Sequence, residues 1–190
     1  MDGRAARAHR NRQAVIEAAL TLIGEGDLEP TAQTIARRAG VATRSVFHHF
    51  ADLESLYADA ADTQADRHWR VLQPVAGDVE ARIERVVAQR AELFERIAAT
   101  RRSAMLREHT SAVLAQRLRQ SRSALRRHLR SNLPELAALD RPTRDALEAA
   151  ASWESWEVLR MHQGLSASAA RRAVARLLGL VLTSSGVVTP

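Results

Sequence analysis

Hydrophobic residues recur along most of the chain every three or four positions, the spacing that places them on one face of an α-helix. The first such stretch covers about residues 10–24 and ends at a pair of glycines, Gly24 and Gly26. The same spacing indicates further helices at about residues 31–39, 43–50, 52–72, 78 onward, 102–109, 111–132, 143–163 and 166–184. No segment alternates in the manner of a strand, so the pattern predicts an all-α fold of about nine helices.

Residues with local preferences mark several helix ends. Thr31, Thr43 and Asp52 are predicted to be N-caps, because their side-chain oxygens can accept hydrogen bonds from free amides of the first turn. Gly40 is predicted to separate the second and third helices. Residues 133–142, which contain two prolines, are expected to form a loop.

Composition narrows the class of protein. The chain has 190 residues, 46% of them hydrophobic, which suffices for one large or two small domains. It has no cysteine, which excludes disulfides and thiolate metal sites. No apolar run is long enough to span a bilayer, and no signal-peptide pattern follows the basic N-terminus, so we expect a cytoplasmic protein with no membrane partner. Residues 1–9 are expected to be a flexible arm and residues 187–190 a frayed tail.

The net charge of +6 permits a nucleic-acid partner, and every basic residue is arginine. Its distribution is uneven. Residues 1–50 carry a net +2, residues 51–100 a net −4, residues 101–130 a net +8, and residues 131–190 are balanced. Charge alone therefore does not locate a DNA-binding segment at the N-terminus.

Residues 34–50 have the pattern of two short helices joined by a tight turn at Gly40. Ile35 of the first helix and Val46 and Phe50 of the second are predicted to face the core. The outer face of the second helix is polar and consists of Thr43, Arg44, Ser45, His48 and His49. This pattern favours a recognition helix for the major groove, and the alternative is an ordinary helical hairpin with a solvated outer face.

These residues resemble a known family. The residues that do so are Ile16, Ala19, Leu22, Gly26, Thr34-Ile35-Ala36, Ala39-Gly40-Val41, Ser45-Val46-Phe47-His48-His49-Phe50, Glu54 and Leu56. This run resembles the DNA-binding domain of the tetracycline-repressor (TetR) family over about residues 10–57. The resemblance implies an all-α homodimer with a helix-turn-helix domain in residues 1–57 and a ligand-binding and dimerisation domain in residues 58–190. A fourth helix, about residues 53–72, would link the two domains.

The resemblance also assigns DNA-contacting positions, which are Thr31, Thr34, Thr43, Arg44, Ser45, Phe47, His48 and His49. Arg44 is the candidate for base readout, because a guanidinium can pair with both acceptors of guanine. Two positions depart from the family pattern. Phe47 stands where tyrosine is commonest, and Leu53 stands where lysine is usual, so two phosphate contacts are missing and a modest salt dependence is expected.

A homodimer would place two recognition helices roughly 34 Å apart on successive major-groove faces. The last two predicted helices carry the strongest apolar stripes, and the interface is predicted at Leu147, Ala150, Ala151, Ala170, Ala173, Val174, Leu177, Leu178 and Val181. The alternative is that these stripes serve only the core of one subunit.

A small-molecule effector is implied by the resemblance, and its identity is left open. Candidate lining residues are Trp69, Phe94, Met105, Leu106, His109, Leu125, Trp153 and Trp156, each of which can equally be ordinary core. An arginine face on one helix (Arg119, Arg122, Arg126 and Arg130) can pair with acidic residues of the 51–100 segment, such as Asp62. It can alternatively hold an anionic effector.

The sequence therefore predicts a ligand-responsive repressor that binds double-stranded DNA as a homodimer. The alternatives are a constitutive or architectural DNA-binding protein without effector and, with less support, a helical enzyme. The seven histidines are scattered and no phosphate loop, dinucleotide fingerprint or nucleophile elbow is present. No catalytic residue, cofactor or metal is therefore expected.

Overall fold

The structure, a computed structural model, describes residues 3–184, with side chains from residue 5 onward. Within these residues there is no strand. The nine α-helices are α1 (Gly3–Gly24), α2 (Ala32–Ala39), α3 (Thr43–His49), α4 (Leu53–His68), α5 (Val79–Leu106), α6 (Ala112–Asn132), α7 (Arg141–Ala150), α8 (Trp153–Glu157) and α9 (Ala167–Ser184). The all-α prediction is confirmed. The predicted frayed tail, residues 187–190, lies outside the described residues.

The predicted flexible arm is wrong for the residues described, because α1 begins at Gly3 rather than near Arg10. Ala5, Ala6 and Ala8 have the highest intrinsic helix propensity and no glycine or proline separates them from the apolar stripe. Helix propagation toward the N-terminus therefore costs little once the stripe is packed.

Helix boundaries in the middle of the chain also differ from prediction. The predicted short helix at residues 102–109 is the end of α5, which continues from Val79 to Leu106 because no glycine or proline interrupts it. Helix α4 ends at His68, and a single 3₁₀ turn, Trp69–Val71, follows. The predicted loop at 133–142 contains another 3₁₀ turn, Pro134–Ala138.

The predicted helix at residues 143–163 is divided. Ser152 interrupts it, because its hydroxyl accepts a hydrogen bond from the Ser155 amide at 3.2 Å and caps a new helix, α8. A π-helical turn, Val158–His162, then follows α8 before Gly164 ends the segment with a φ of 67°.

Three of the four residues predicted to mark helix ends around the turn do so, and one does not. Thr31 is the N-cap of α2, and Asp52 caps α4 by accepting the Ser55 amide at 2.7 Å, as predicted. Gly40 ends α2 with φ 68° and ψ 30°, a left-handed conformation that favours glycine. Thr43 is not an N-cap, because Ala42 has the extended backbone of that position and Thr43 is already helical.

The chain divides into two compact units. The helix-turn-helix unit comprises the residues up to His68 together with Ile97–Gln120, and the second unit comprises Trp69–Arg96 and the residues from Ser121 onward. Helices α5 and α6 thus each contribute residues to both units. The functional division into residues 1–57 and 58–190 stays a prediction, because compact packing does not by itself assign function.

Each unit has its own hydrophobic core. In the helix-turn-helix unit, α1 contributes Val15, Ile16 and Ala19 to a cluster completed by α2, α3 and α4. In the second unit, α5, α6, α7 and α9 bury a cluster that includes Ile83, Leu129, Leu147 and Leu178. No helix in the described part of the chain is both long and apolar enough to cross a membrane.

Candidate nucleic-acid interface and candidate ligand cavity

The inner face of α3 is anchored in the core of the helix-turn-helix unit. Val46 and Phe50 are 1% and 3% exposed, and Ile35 of the preceding helix is fully buried. Burying an aliphatic or aromatic side chain of this size contributes about 1.5–3 kcal/mol. The orientation of α3 is therefore fixed by packing, and its outer face is held in one position relative to α2.

The outer face of α3 is open to solvent. Thr43, Arg44 and His48 are exposed, Ser45 and His49 are half-buried, and the Phe47 ring is 53% exposed. Single exposed apolar side chains are normal on protein surfaces, so the Phe47 ring is compatible with a binding face and does not by itself identify one. The structure thus brings the α3 residues predicted to contact DNA together on one accessible surface.

A hollow of about 400 Å³ lies beside this surface, between α1 and α3. Its lining residues are Arg7, Ala8, Asn11, Arg44, Ser45, His48 and His49. Arg7 belongs to the basic N-terminal segment, here part of α1, whereas Ala8 and Asn11 were not predicted as site residues. Both are half-buried and lie seven and four residues before Val15, so they continue the face of α1 that carries the buried stripe, and this spacing is the sequence signal that could have placed them here.

The two histidines of α3 contact each other edge to face, with ring centroids 5.3 Å apart. Burial lowers the pKa of His49, and the charges of His48 and Arg12 lower it further. A neutral His49 imidazole still donates one N–H to a phosphate oxygen without adding a charge. The Arg12 guanidinium stacks 5.1 Å from the Phe50 ring centroid and pairs with Asp59, so this side chain serves the protein's interior contacts.

The start of α2 is held by hydrogen bonds. The Thr31 hydroxyl accepts the Thr34 amide at 3.2 Å and lies 2.9 Å from the Thr34 hydroxyl. The buried Tyr57 hydroxyl donates to the Pro30 carbonyl at 2.7 Å. Both threonines are thereby positioned at a helix N-terminus, where a phosphate would be favourable.

A second set of contacts secures the segment before α2. The Arg107 guanidinium lies 4.2 Å from the Tyr57 ring centroid and forms ion pairs with Glu29 at 3.2 Å and Glu54 at 3.6 Å. The Ser103 hydroxyl donates to the Leu28 carbonyl at 2.7 Å. Residues just before and just after the end of α5 thus brace the loop that leads into α2.

Two short helices with a tight glycine turn, an anchored inner face and a polar outer face form a helix-turn-helix, the arrangement that many DNA-binding domains use. Residues 15–60 match the sequence model of the bacterial regulatory proteins of the tetR family. Over this segment the chain carries the DNA-binding domain of the TetR family, and the resemblance inferred from the sequence over about residues 10–57 is confirmed.

Solved structures share the fold over nearly the whole chain. A transcriptional regulator from Rhodococcus sp. Rha1 is 22% identical, covers 94% of this chain and 99% of its own, and superposes with a TM-score of 0.74. The multidrug binding protein EbrR, complexed with imidazole, is 22% identical with coverages of 88% and 92% and a TM-score of 0.65. A further Rhodococcus sp. protein described as a TetR-family transcriptional regulator is 18% identical, with coverages of 90% and 98% and a TM-score of 0.68. No curated protein sequence matches the chain.

The second unit contains a cavity of about 450 Å³. It is lined by Arg90, Arg122, Leu125, Arg126, Asp145, Glu148, Ala149, Ser152, Trp153 and Glu154. Two of the predicted ligand-lining residues, Leu125 and Trp153, are among them. Phe94 packs edge to face on Trp153 with centroids 5.8 Å apart and also contacts Trp156, so these two rings support the wall.

The other predicted ligand residues lie elsewhere. Trp69 is in the 3₁₀ turn after α4 and is half-buried. Met105 packs against the core of the helix-turn-helix unit, whereas Leu106 and His109 are exposed. None of these four residues lines the cavity, and the ligand-binding assignment stays a prediction.

Arg90 is the residue of this cavity that sequence reasoning missed. Its side chain is 97% buried by area, and it occupies a position on the inward stripe of α5 between Val86 and Phe94 where an apolar residue is expected. That break in the apolar pattern was the available signal. Burial lowers the pKa of Arg90 to about 10, only partly offset by the charge of Glu148, and the guanidinium remains cationic at neutral pH.

Two of the four arginines on the face of α6 form ion pairs. Arg122 binds Glu154 at 2.7 Å, and Arg130 binds Glu148 at 2.5 Å and 3.0 Å. Asp62, which was expected to pair with this face, instead pairs at 2.9 Å with Arg117, which is not one of its four arginines. The main partners are therefore glutamates of α7 and α8, which the sequence did not indicate.

The predicted dimer residues fall into two groups. Five are buried in the core of their own unit, namely Leu147, Ala151, Ala170, Val174 and Leu178. The remaining four, Ala150, Ala173, Leu177 and Val181, retain exposed surface. Leu177 and Leu180 are 43% and 45% exposed, and Val158 and Met161 are similarly exposed, so part of the predicted stripe and apolar residues outside it are accessible.

Proposed function

We propose that this protein is a ligand-responsive transcriptional repressor that binds a palindromic operator as a homodimer and is released by a small-molecule effector. The observation that carries the proposal is the exposed outer face of α3 above an inner face anchored in the core, within a segment that matches the family. An anchored helix with a polar, accessible face can enter a major groove without rearranging its own support.

In this proposal Arg44 pairs with a guanine, and Thr43 and Ser45 contact bases or adjacent phosphates. His48, His49 and the Phe47 ring flank the same surface. Thr31 and Thr34 hold a phosphate at the start of α2. These assignments are supported by exposure and by position, since all eight predicted residues lie on or beside the two helices of the motif.

The homodimer is supported by the exposed apolar face that includes Leu177 and Leu180 of α9 and Val158 and Met161 of the adjoining π turn. Monomeric proteins seldom expose four large apolar side chains on consecutive segments. A symmetric pair of such faces would bury them and would set the separation of the two recognition helices.

The effector is supported by the 450 Å³ cavity, whose size lies within the usual range of about 300–1,000 Å³ for small-molecule sites. EbrR, which shares the fold, is a multidrug binding protein. Release from DNA requires that the ligand bind the non-DNA form more tightly than the DNA form, with α4 as the linking element. A constitutive DNA-binding protein without effector is the alternative, and a solid second unit would have favoured it.

The test is selection of duplexes from a random library by the purified protein. Enrichment of a palindrome with half-sites one helical turn apart is expected. Arg44→Ala should weaken the enrichment and relax it at one base pair of each half-site, whereas Arg171→Ala, which removes an equal charge from the exposed face of α9, should preserve it. Sequence-independent recovery of duplexes by both variants and the parent would reject operator recognition.

A further inference from the structure

Within residues 5–184, arginines without an ion-pair partner remain in the lining of the second unit's cavity after each lining carboxylate is assigned to its arginine partner. Three acidic residues line it, and each has an arginine partner. Glu148 pairs with Arg130, Glu154 with Arg122, and Asp145 with Arg141, the last at 3.5 Å. In the described chain the lining arginines Arg90 and Arg126 form no ion pair.

Arg90 is held in place by neutral groups. Its Nε donates to the Ala151 carbonyl and its Nη1 to the Leu125 carbonyl, both at 3.0 Å. These two bonds fix the plane of the guanidinium and leave Nη2 without a partner among the described residues. Besides these carbonyls, the guanidinium carbon lies 5.9 Å from the Phe94 ring centroid, so all of these partners are neutral. A buried cation without an anionic partner is costly, and an incoming anion is the group that would lower that cost.

Further donors lie on the same wall. Trp153 is 1% exposed, and its Nε1–H has no hydrogen-bond partner in the described part of the chain. The Ser152 oxygen accepts the Ser155 amide, so its hydroxyl hydrogen is available as a donor. Leu125, Ala149 and the Trp153 ring supply apolar surface beside these donors.

We propose that this cavity binds an amphipathic organic acid, with its carboxylate against Arg90 and Arg126 and its apolar body against Leu125 and Trp153. A guanidinium presents two parallel N–H groups in the geometry that a carboxylate accepts. The acid is the effector class of the regulator proposed above, and in that respect the inference rests on the proposed function.

The test uses three probes of one shape: 2-naphthoate, its neutral amide 2-naphthamide, and the cation 2-naphthylmethylammonium. Binding to the full chain without DNA is measured by calorimetry, and dodecanoate is added as an aliphatic acid. The acids should bind saturably, with the naphthoate at least about tenfold tighter than its amide, since a charge-assisted hydrogen bond is lost in the amide. Equal affinity for acid and amide, preference for the cation, or no saturable binding of either acid would overturn the proposal.

Variants locate the carboxylate. Arg126→Gln should weaken naphthoate binding about fivefold or more, because Arg126 is exposed and has no structural partner to lose. Arg127→Gln removes the same charge from the next residue, which does not line the cavity, and should change affinity less than about twofold. Equal effects of the two variants would indicate general electrostatic attraction and reject the site.

Arg90→Gln should weaken naphthoate binding further than Arg126→Gln does. Circular dichroism shows whether the Arg90→Gln variant folds, and if it does not fold, Arg126→Gln alone is the test. The outcomes are separable from those of the operator selection. A protein that selects a palindrome and binds no acid refutes this inference alone. A protein that binds the acid through Arg126 and selects no palindrome refutes the operator proposal alone.

Discussion

Replacing Tyr57 by phenylalanine would delete one oxygen atom from the interior of the helix-turn-helix unit. Tyr57 is 3% exposed, and its hydroxyl donates to the buried Pro30 carbonyl at 2.7 Å. Burial raises the pKa of this hydroxyl to about 12, so it is a proton donor at any pH at which the protein would be studied. Phenylalanine keeps the ring beneath the Arg107 guanidinium, and the substitution therefore isolates the hydrogen bond.

The size of the effect follows from what remains after the substitution. A neutral hydrogen bond contributes about 0.5–1.5 kcal/mol, and an acceptor left buried and unpaired costs about 1–3 kcal/mol. We expect a loss of about 1–2 kcal/mol in the free energy of unfolding, which corresponds to about 0.5–1 M in the urea midpoint. Since Pro30 precedes the N-cap Thr31, operator affinity should also fall a few-fold as the start of α2 loosens.

The assay is urea unfolding followed by far-ultraviolet circular dichroism. The matched control is Thr63→Val, also in α4, whose hydroxyl donates at 2.8 Å to the Asp59 carbonyl of its own helix. That carbonyl keeps its helical partner, so the control should shift the midpoint by less than about 0.3 M. A Tyr57→Phe midpoint indistinguishable from that of the control would refute the argument.

Three further predictions concern recognition, pH and assembly. Arg44→Ala should weaken operator binding by about 1–3 kcal/mol in a gel-shift titration and relax preference at one base pair, with an unchanged dichroism spectrum because Arg44 is exposed; retained base preference would contradict its role. Burial and then the charge of Arg90 lower the pKa of His128 from 6.5 to about 4. Between these two pH values the histidine is protonated in the unfolded chain and neutral in the folded protein, so the free energy of unfolding should fall as the pH drops from 6.5 to 4. Allowing for solvent screening of a partly exposed ring, the loss should be about 1–2 kcal/mol in thermal or urea unfolding, and His128→Gln should flatten it; an equal slope in the variant would exclude this histidine. Leu177→Glu should convert a dimer to monomers in sedimentation velocity, and a dimer unaffected by the substitution would place the interface elsewhere.

The helix-turn-helix was predictable because its determinants are local. Val46 and Phe50 are four residues apart on a seven-residue helix, and Gly40 provides the left-handed turn. Each of these preferences acts within one or two helical turns, and all of them agree. The extent of α1 was not predictable in the same way, because its first turns lack an apolar stripe and are set by propensity alone.

The cavity of the second unit was not predictable because it depends on residues far apart in sequence. Arg90 meets the carbonyls of Leu125 and Ala151, at separations of 35 and 61 residues. Sequence periodicity identified Leu125 and Trp153 as inward-facing and gave no means of separating a cavity wall from packed core. The break at Ser152 was equally hidden, since a serine within an apolar pattern is compatible with a continuous helix.

The helix-turn-helix unit is formed by two separate segments of the chain, and this limits how the unit can be transferred to another protein. Ala104 and Leu118 close the cluster that buries Ile23, Tyr57 and Ala58, so an N-terminal fragment ending at His68 would expose an apolar surface that the intact protein covers. A graft of the first 68 residues onto another protein should therefore fold only where the host's equivalent of residues 97–120 has apolar side chains that pack against Ile23, Tyr57 and Ala58. DNA specificity should therefore be easier to change by substituting residues on the outer face of α3 than by exchanging the first 68 residues as one segment.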